Sequence, residues 1–318
     1  MAFRFKLDEP IEKGFRRIGA EQIERARRQV MAASDPVSEI HEARKCLKRT
    51  RALLRLAREG LGEQVFQTEN ARFRTISAQL APARDDHVMR ETILKLAADA
   101  PAHIQPAIQR LKAAILADLA DQPAPDRSGA LTQLDRALNR FRRLKIEPDD
   151  FHTLERGLER SYRRGVRLFA VAYHDQGDES FHDWRKGAHS YWRHMALLSR
   201  AWPEHFEAGV GVARELSQIL GNDHDLAILK LRVGSLAPDA LAANDRTAIE
   251  RFICERQELL RRAARPRGDM IFSERPKAFA RRIGAIWSAA AARSHADEAL
   301  DAAHRQTDQE ALEALAGE

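Results

Sequence analysis

His41-Glu-Ala-Arg-Lys-Cys-Leu-Lys-Arg-Thr-Arg51-Ala-Leu-Leu-Arg55 reads as one continuous amphipathic helix. At about 100° per residue, His41, Arg44, Lys45, Lys48, Arg51 and Arg55 fall within a sector of roughly 120°, with Ala43, Cys46, Leu47, Thr50, Leu53, Leu54 and Ala57 opposite. One face is suited to packing, while the other carries only positive or chargeable groups. Between His41 and Arg58 the only acid is Glu42, and it falls outside the cationic sector.

The pattern returns later in the chain. His182-Asp-Trp-Arg-Lys186 opens a helix with His182, Arg185, Lys186, His189, Arg193 and Arg200 on one side. Trp184, Ala188, Tyr191, Met195 and Leu198 lie on the other. Further matches occur in the same order at an offset near 140. Gly14-Phe-Arg-Arg17 pairs with Gly157-Leu-Glu-Arg160, and Arg74 with Arg214. Leu80 and Ala83-Arg-Asp85 pair with Leu220 and Asp223-His-Asp225. Registered matches of this kind indicate an internal duplication. The expected organisation is a first half over residues 1–146, a second over 147–294 and a frayed or weakly helical tail over 295–318.

Punctuation by Pro and Gly divides the sequence into helical segments. They are expected near 11–33, 36–59, 63–80, 84–99, 101–121, 129–146, 148–176, 180–200, 203–220, 223–234, 240–264 and 276–292. The breaks include Ser34-Asp-Pro36, Ala81-Pro82, Gln122-Pro-Ala-Pro125 and Gly221-Asn222. No segment alternates with period two, so the fold class is all-α, two helical-bundle halves related by the internal duplication. With 44% hydrophobic residues in 318, the chain can bury a sizeable core.

Charge points to an anionic partner. The formal net charge is +6, and only ten of the 53 basic residues are Lys. Arg offers a planar fork of donors that suits phosphate oxygens. Cys46 and Cys254 are the only cysteines and form no CxxC spacing for zinc or redox chemistry. No apolar run approaches the roughly 18 residues of a membrane span, and the N-terminus has no signal core, so a cytoplasmic location is expected.

A charged helix face is ordinarily just solvated surface. Here, however, the stripes lack the opposite charges that an exposed face uses for i,i+4 pairing, and aligned like charges cost stability. They also recur, each with a histidine where solubility alone would take Lys or Glu. A bound polyanion accounts for all three features. Cations one turn apart repeat every ~5–6 Å, a spacing suited to an extended run of phosphates. Histidine could add charge beside an anion, so affinity is expected to rise as pH falls through roughly 6.5.

The double His-x-x-Arg-Lys motif, followed by a Leu-rich helix and then by Leu80…Asp85 or Leu220…Asp225, resembles the CHAD family, the conserved histidine α-helical domain. The tract Gly157–Arg164 is also similar to it, and the resemblance runs from about residue 4 to about 290. It implies two helical-bundle halves related by a pseudo-twofold axis about a basic central groove, binding of inorganic polyphosphate and association with polyphosphate granules. Carried onto this sequence, the ligand-facing residues are His41, Arg44, Lys45, Lys48 and Arg51, with His182, Arg185 and Lys186. His189, Ser190 and Trp192 depart from the basic pattern, so the first half is expected to hold the ligand more firmly. The candidate set also takes in Arg55, His189, Arg193 and the repeat-matched Arg17, Arg160, Arg74 and Arg214. The triphosphate-tunnel domain that often accompanies the family is not expected here, since its alternating Glu-x-Glu-x-Lys strand is absent.

Two alternatives compete with polyphosphate. Nucleic acid also presents phosphates, and any basic groove binds it weakly and non-specifically; single-strand readers usually add stacking aromatics, which are scarce on these stripes. His224-Asp225 resembles the His-Asp doublet of helical metal-dependent phosphohydrolases. The simpler reading puts Asp223 or Asp225 at a helix N-terminus. His182 and His189, seven residues apart on a helix, are separated by about 10 Å and cannot share one ion. The expectation is therefore a non-catalytic binding protein, with no catalytic residue, metal ligand or cofactor assigned.

Overall fold

A computed structural model describes residues 3–32, 35–80, 82–118 and 127–316. Among these the regular structure is helical throughout, in twelve helices. They are α1 (Ile11–Met31), α2 (Pro36–Leu56), α3 (Arg58–Leu61), α4 (Glu63–Gln79), α5 (Pro82–Asp99) and α6 (Gln105–Asp118). The remainder are α7 (Arg127–Phe141), α8 (Phe151–Asp175), α9 (Asp178–Leu198), α10 (Pro203–Ser235), α11 (Ala243–Ile271) and α12 (Pro276–Ala316). The breaks expected at Ala81 and Gln122–Pro125 lie outside the described residues, as do the side chains of Arg84 and Asp85 that entered the repeat comparison.

Local signals set several helix starts. Asp35 accepts from the Ser38 amide and Pro36 occupies the first turn of α2; Asp150 caps α8 by accepting from the Thr153 amide. Gln176 closes α8 in the left-handed region at φ 53°. Elsewhere packing overrides the local signal. Gly221-Asn222 does not break the chain, and α10 runs unbroken from Pro203 to Ser235. Asp223 and Asp225 therefore sit mid-helix and cap nothing, correcting the N-terminal reading. Helix α11 also continues through Pro266, and α12 extends through the tail to Ala316.

Helix α2 lies at the centre, packed against α1, α4, α5, α8 and α9. Its apolar face is fully buried: Ala43, Cys46, Leu47, Thr50, Leu53, Leu54 and Ala57 have no exposed surface. Three buried leucines at about 1.5–3 kcal/mol each outweigh the few tenths of a kcal/mol that each i,i+4 like-charge pair costs on the opposite face. The larger core cluster joins α1, α2, α4 and α7 to α8, α9 and α12 through Phe15, Leu47, Phe73, Phe141, Trp184 and Phe279. A smaller one joins α5 and α6 to the later turns of α10 and to α11 through Ile93, Ile108, Leu229 and Ile253. Both clusters draw residues from either side of residue 147.

Close approaches fix the centre. A Cβ at Gly157 would lie 1.8 Å from the Leu56 carbonyl oxygen, so α8 crosses α2 at a distance that only glycine allows. Beside this crossing, buried His194 on α9 has Nε2 3.0 Å from the Ala52 carbonyl oxygen of α2. That contact ties the two motif helices together near the crossing.

Candidate functional site

The two cationic stripes meet. A cavity of about 450 Å³ is lined from α2 by Arg44, Lys48, Arg51 and Arg55, and from α9 by His182, Arg185, Lys186, His189, Ser190 and Arg193. Helices α5 and α10 complete it with Val88, Met89, Thr92, His224, Asp225 and Ile228. A neighbouring cavity of about 1120 Å³ shares Lys48, Arg185, His189 and Arg193 and adds His41, Lys45, Arg49, Trp192 and Arg214. A third, about 520 Å³, shares Arg51, Arg55, Lys186 and Ser190 and adds Arg58, Arg74, Arg160 and Arg164. The shared residues place the three in series along α2, which at 1.5 Å per residue spans ~30 Å.

The candidates divide by depth. At the centre are Arg51, Arg55 and Arg193. Burial, followed by Arg51, Arg164 and Arg193, pulls the Arg55 guanidinium down to about 9. Burial, then Arg49, Arg185 and Arg51, does the same to Arg193. Arg51 falls to about 10 through burial and Arg74. All three remain protonated at neutral pH, so the shifts express burial first and the crowding of like charges second. Among the described residues, no carboxylate lies within ion-pair distance of any of them. Arg51 Nε donates to Asn70 Oδ1 at 3.0 Å, and Arg193 donates to the His189 carbonyl at 3.1 Å with its guanidinium over the Trp192 ring. Arg55 makes neither hydrogen bond nor ion pair among the described residues.

Around this centre the groups are better satisfied. Arg44 donates to the Ser77 carbonyl. Gly221 leaves room for Arg185, whose Nη2 would lie 3.4 Å from a Cβ there. Lys45 pairs with Glu42 at 2.7 Å and Lys186 with Asp183 at 2.6 Å, the same i,i+3 arrangement at matched motif positions. Each lysine holds its carboxylate below the usual range, the hydrogen bond being the main cause. Arg160 is half exposed and pairs with Glu59 at 2.5 Å. Arg74 and Arg214 are exposed at the margins.

Arg17 does not join this set. It lines none of the three cavities and is held by Glu9, Glu21 and the Arg4 carbonyl, with its pKa raised chiefly by the Glu9 hydrogen bond. Repetition misled here, because an arginine can be matched in sequence yet serve the local ion pairing of α1.

The histidines also differ from expectation. Burial, then Lys186 and Arg185, lowers His182. His189 is pushed well below its ordinary range by burial, then Arg193, Arg185, Lys48 and Arg55. Before any anion enters, both are therefore neutral at physiological pH and add no charge. His182 stacks on His224 with ring centroids 3.9 Å apart. Buried Asp223 instead faces Arg261 at 2.8 Å, which also reaches Asp178 at 2.5 Å and ties α11 to the start of α9. Among the described residues, no three His, Cys, Asp or Glu side chains are grouped as a metal site requires.

Sequence reasoning missed Arg164, Arg49 and Arg58. Arg164 closes in a tract already noticed, but nothing in one dimension says that α8 crosses α2 tightly enough to bring it to Arg55.

These features define an all-helical protein whose two central motif helices line a shared, cation-rich cavity. The CHAD domain family model matches residues 17–234, and the chain belongs to that family. No curated protein matches it. No helix among the described residues is long and apolar enough to cross a membrane.

Proposed function

We propose that the three cavities act as one basic groove, formed by a duplicated helical unit, that binds inorganic polyphosphate without catalysis. The carrying observation is the central arginine group, buried Arg193 with part-buried Arg51 and Arg55, gathered beside further arginines with no carboxylate at ion-pair distance among the described residues. Gathering such charges costs several kcal/mol unless an anion compensates, and charge-assisted hydrogen bonds to phosphate oxygens do so. A linear phosphate chain suits cavities in series, and it needs none of the aromatic stacking that nucleobases would seek. Trp192, the aromatic side chain of the largest cavity, already carries the Arg193 and Arg214 guanidiniums at 4.4 and 5.3 Å from its ring centroid. We place the protein in the cytoplasm, on polyphosphate granules where these form, with nucleic acid a weaker, non-specific ligand.

Titration with long polyphosphate, short oligophosphate and single-stranded DNA at several ionic strengths tests this reading. Polyphosphate should bind tightest, with log affinity falling linearly against log salt. Equal or tighter DNA binding at physiological salt would sink it.

A further inference from the structure

Trp192 interrupts the cationic pattern of α9, but its contacts give it a definite place in the site. Its indole Nε1 lies 3.2 Å from His189 Nδ1, three residues earlier on the same helix. An indole N–H can only donate, so Nδ1 must be the acceptor and must carry no proton. The ring proton of neutral His189 therefore resides on Nε2. That atom is buried and has no hydrogen-bond partner among the described residues, while His189 lines both the central cavity and the largest one. A buried donor left unsatisfied costs free energy that an incoming oxygen acceptor would recover.

We infer that Trp192 is a positioning residue that fixes His189 as an uncharged Nε2–H donor to bound phosphate, so that this histidine reads the anion by hydrogen bonding and not as an imidazolium. The inference rests on the polyphosphate reading of the cavity. Its physical logic is exclusion. Protonating His189 would set an Nδ1–H against the indole N–H, donor facing donor, in a position already crowded with positive charge. The titratable groups that line its two cavities are His182, Arg185, Lys186 and Arg193 from α9; His41, Glu42, Arg44, Lys45, Lys48, Arg49, Arg51 and Arg55 from α2, with Asp35 before it; Arg214, His224 and Asp225 from α10; and His87, Glu91 and Lys95 from α5. Four of these, Arg193, Arg185, Lys48 and Arg55, oppose a further charge directly. Trp192 also keeps Arg193 and Arg214 against its ring, so one side chain orders three donors.

Trp192→Phe isolates the hydrogen bond, because it retains a ring for the two guanidiniums and removes only the N–H donor. Two measurements decide the matter. The first is nitrogen-15 NMR of His189 in the ligand-free wild type, assigned by comparison with His189→Gln. It should report the Nε2–H tautomer down to pH 5.5. The second is the affinity for long-chain inorganic polyphosphate, taken as the ratio of variant to wild type at each pH, which cancels the titration of the ligand. His189→Ala should weaken binding about tenfold at every pH, the scale of one hydrogen bond to a charged group. Trp192→Phe should weaken it about threefold at pH 8. That deficit should shrink as pH falls to 5.5, because bound phosphate offsets the surrounding cations and the freed Nδ1 can then take a proton.

An Nδ1–H tautomer or an imidazolium in the wild type at pH 6 would overturn the inference, as would a Trp192→Phe profile parallel to wild type. Failure of the wild type to bind polyphosphate would remove the proposed function and the phosphate role of His189. The NMR reading would still judge the tautomer that Trp192 imposes.

Discussion

Helices α2 and α9 carry the same motif into the same cavity, but they hold their cations differently. At the centre of α2 the guanidiniums of Arg51 and Arg55 have little to offset their charge among the described residues. Arg55 is lowered by burial and then by Arg51, Arg164 and Arg193, and Arg51 is steadied by an amide oxygen at 3.0 Å. On α9 the equivalent depth is occupied by a mixed group: Arg193 lies on Trp192 and donates to a backbone carbonyl, while His189 is neutral. The centre of the first stripe supplies uncompensated charge, and the same depth of the second supplies oriented donors. The substitutions of His189, Ser190 and Trp192 that looked in sequence like erosion of a basic motif thus limit the charge that one cavity must hold. Extending the α2 pattern onto α9 would have placed further cations beside Arg55, with no carboxylate in range among the described residues.

Charge reversal tests the comparison most severely. Arg51→Glu with Arg55→Glu, and separately Arg185→Glu with Arg193→Glu, should each weaken polyphosphate binding by more than about 100-fold, two lost charge-assisted contacts in either case. Circular dichroism should show helicity retained. Survival of binding in the α9 pair alone would mean that α2 acts by itself and that the shared cavity is incidental.

Acid should loosen the joint between the two helices. The fully buried His194, held against Ala52, has its pKa lowered by burial from 6.5 to about 3. A depressed folded-state value favours the unfolded chain once protons are available. The contribution of this group is therefore complete above pH 6.5 and declines as pH falls towards 3. Urea unfolding should give a stability at pH 4.5 lower by about 2 to 3 kcal/mol from this group. His194→Gln keeps a donor and cannot titrate, and it should remove that part of the acid dependence.

Neutral replacements at depth should separate the helices by sign. Arg55→Met should raise the stability of the ligand-free protein by about 1 kcal/mol and weaken polyphosphate binding roughly tenfold, because it removes a buried charge surrounded by like charges. Arg193→Met should weaken binding similarly but gain no stability, since it also forfeits the Trp192 contact and the His189 carbonyl bond. Equal melting shifts for the two would erase the distinction drawn between bare and supported cations. The smallest effect belongs to Arg17→Ala, which should leave affinity unchanged in the same titration. Its cost, about 1 kcal/mol of stability, comes from the lost pairing with part-buried Glu9.

Much of the site could be read from one dimension because a helix has a fixed period. Placing His41, Arg44, Lys48, Arg51 and Arg55 in one sector already puts Leu47, Leu53 and Leu54 in the core, and the structure buries all three completely. The same periodicity says nothing about whether a nominal breaker will break. Gly221-Asn222 stays helical because Leu220 and Leu226 are buried on either side of it.

The sequence by itself determined an all-helical chain with two one-sided cationic helices, since both properties follow from composition and a 3.6-residue repeat. Tertiary structure alone decided that the stripes share a cavity, that Arg164 reaches Arg55, and that Arg17 belongs elsewhere. Those outcomes depend on how closely helices cross, as at Gly157 against the Leu56 carbonyl. It also decided protonation. A histidine's charge depends on burial and on the arginines brought to it from other helices, and neither is written at the histidine's own position.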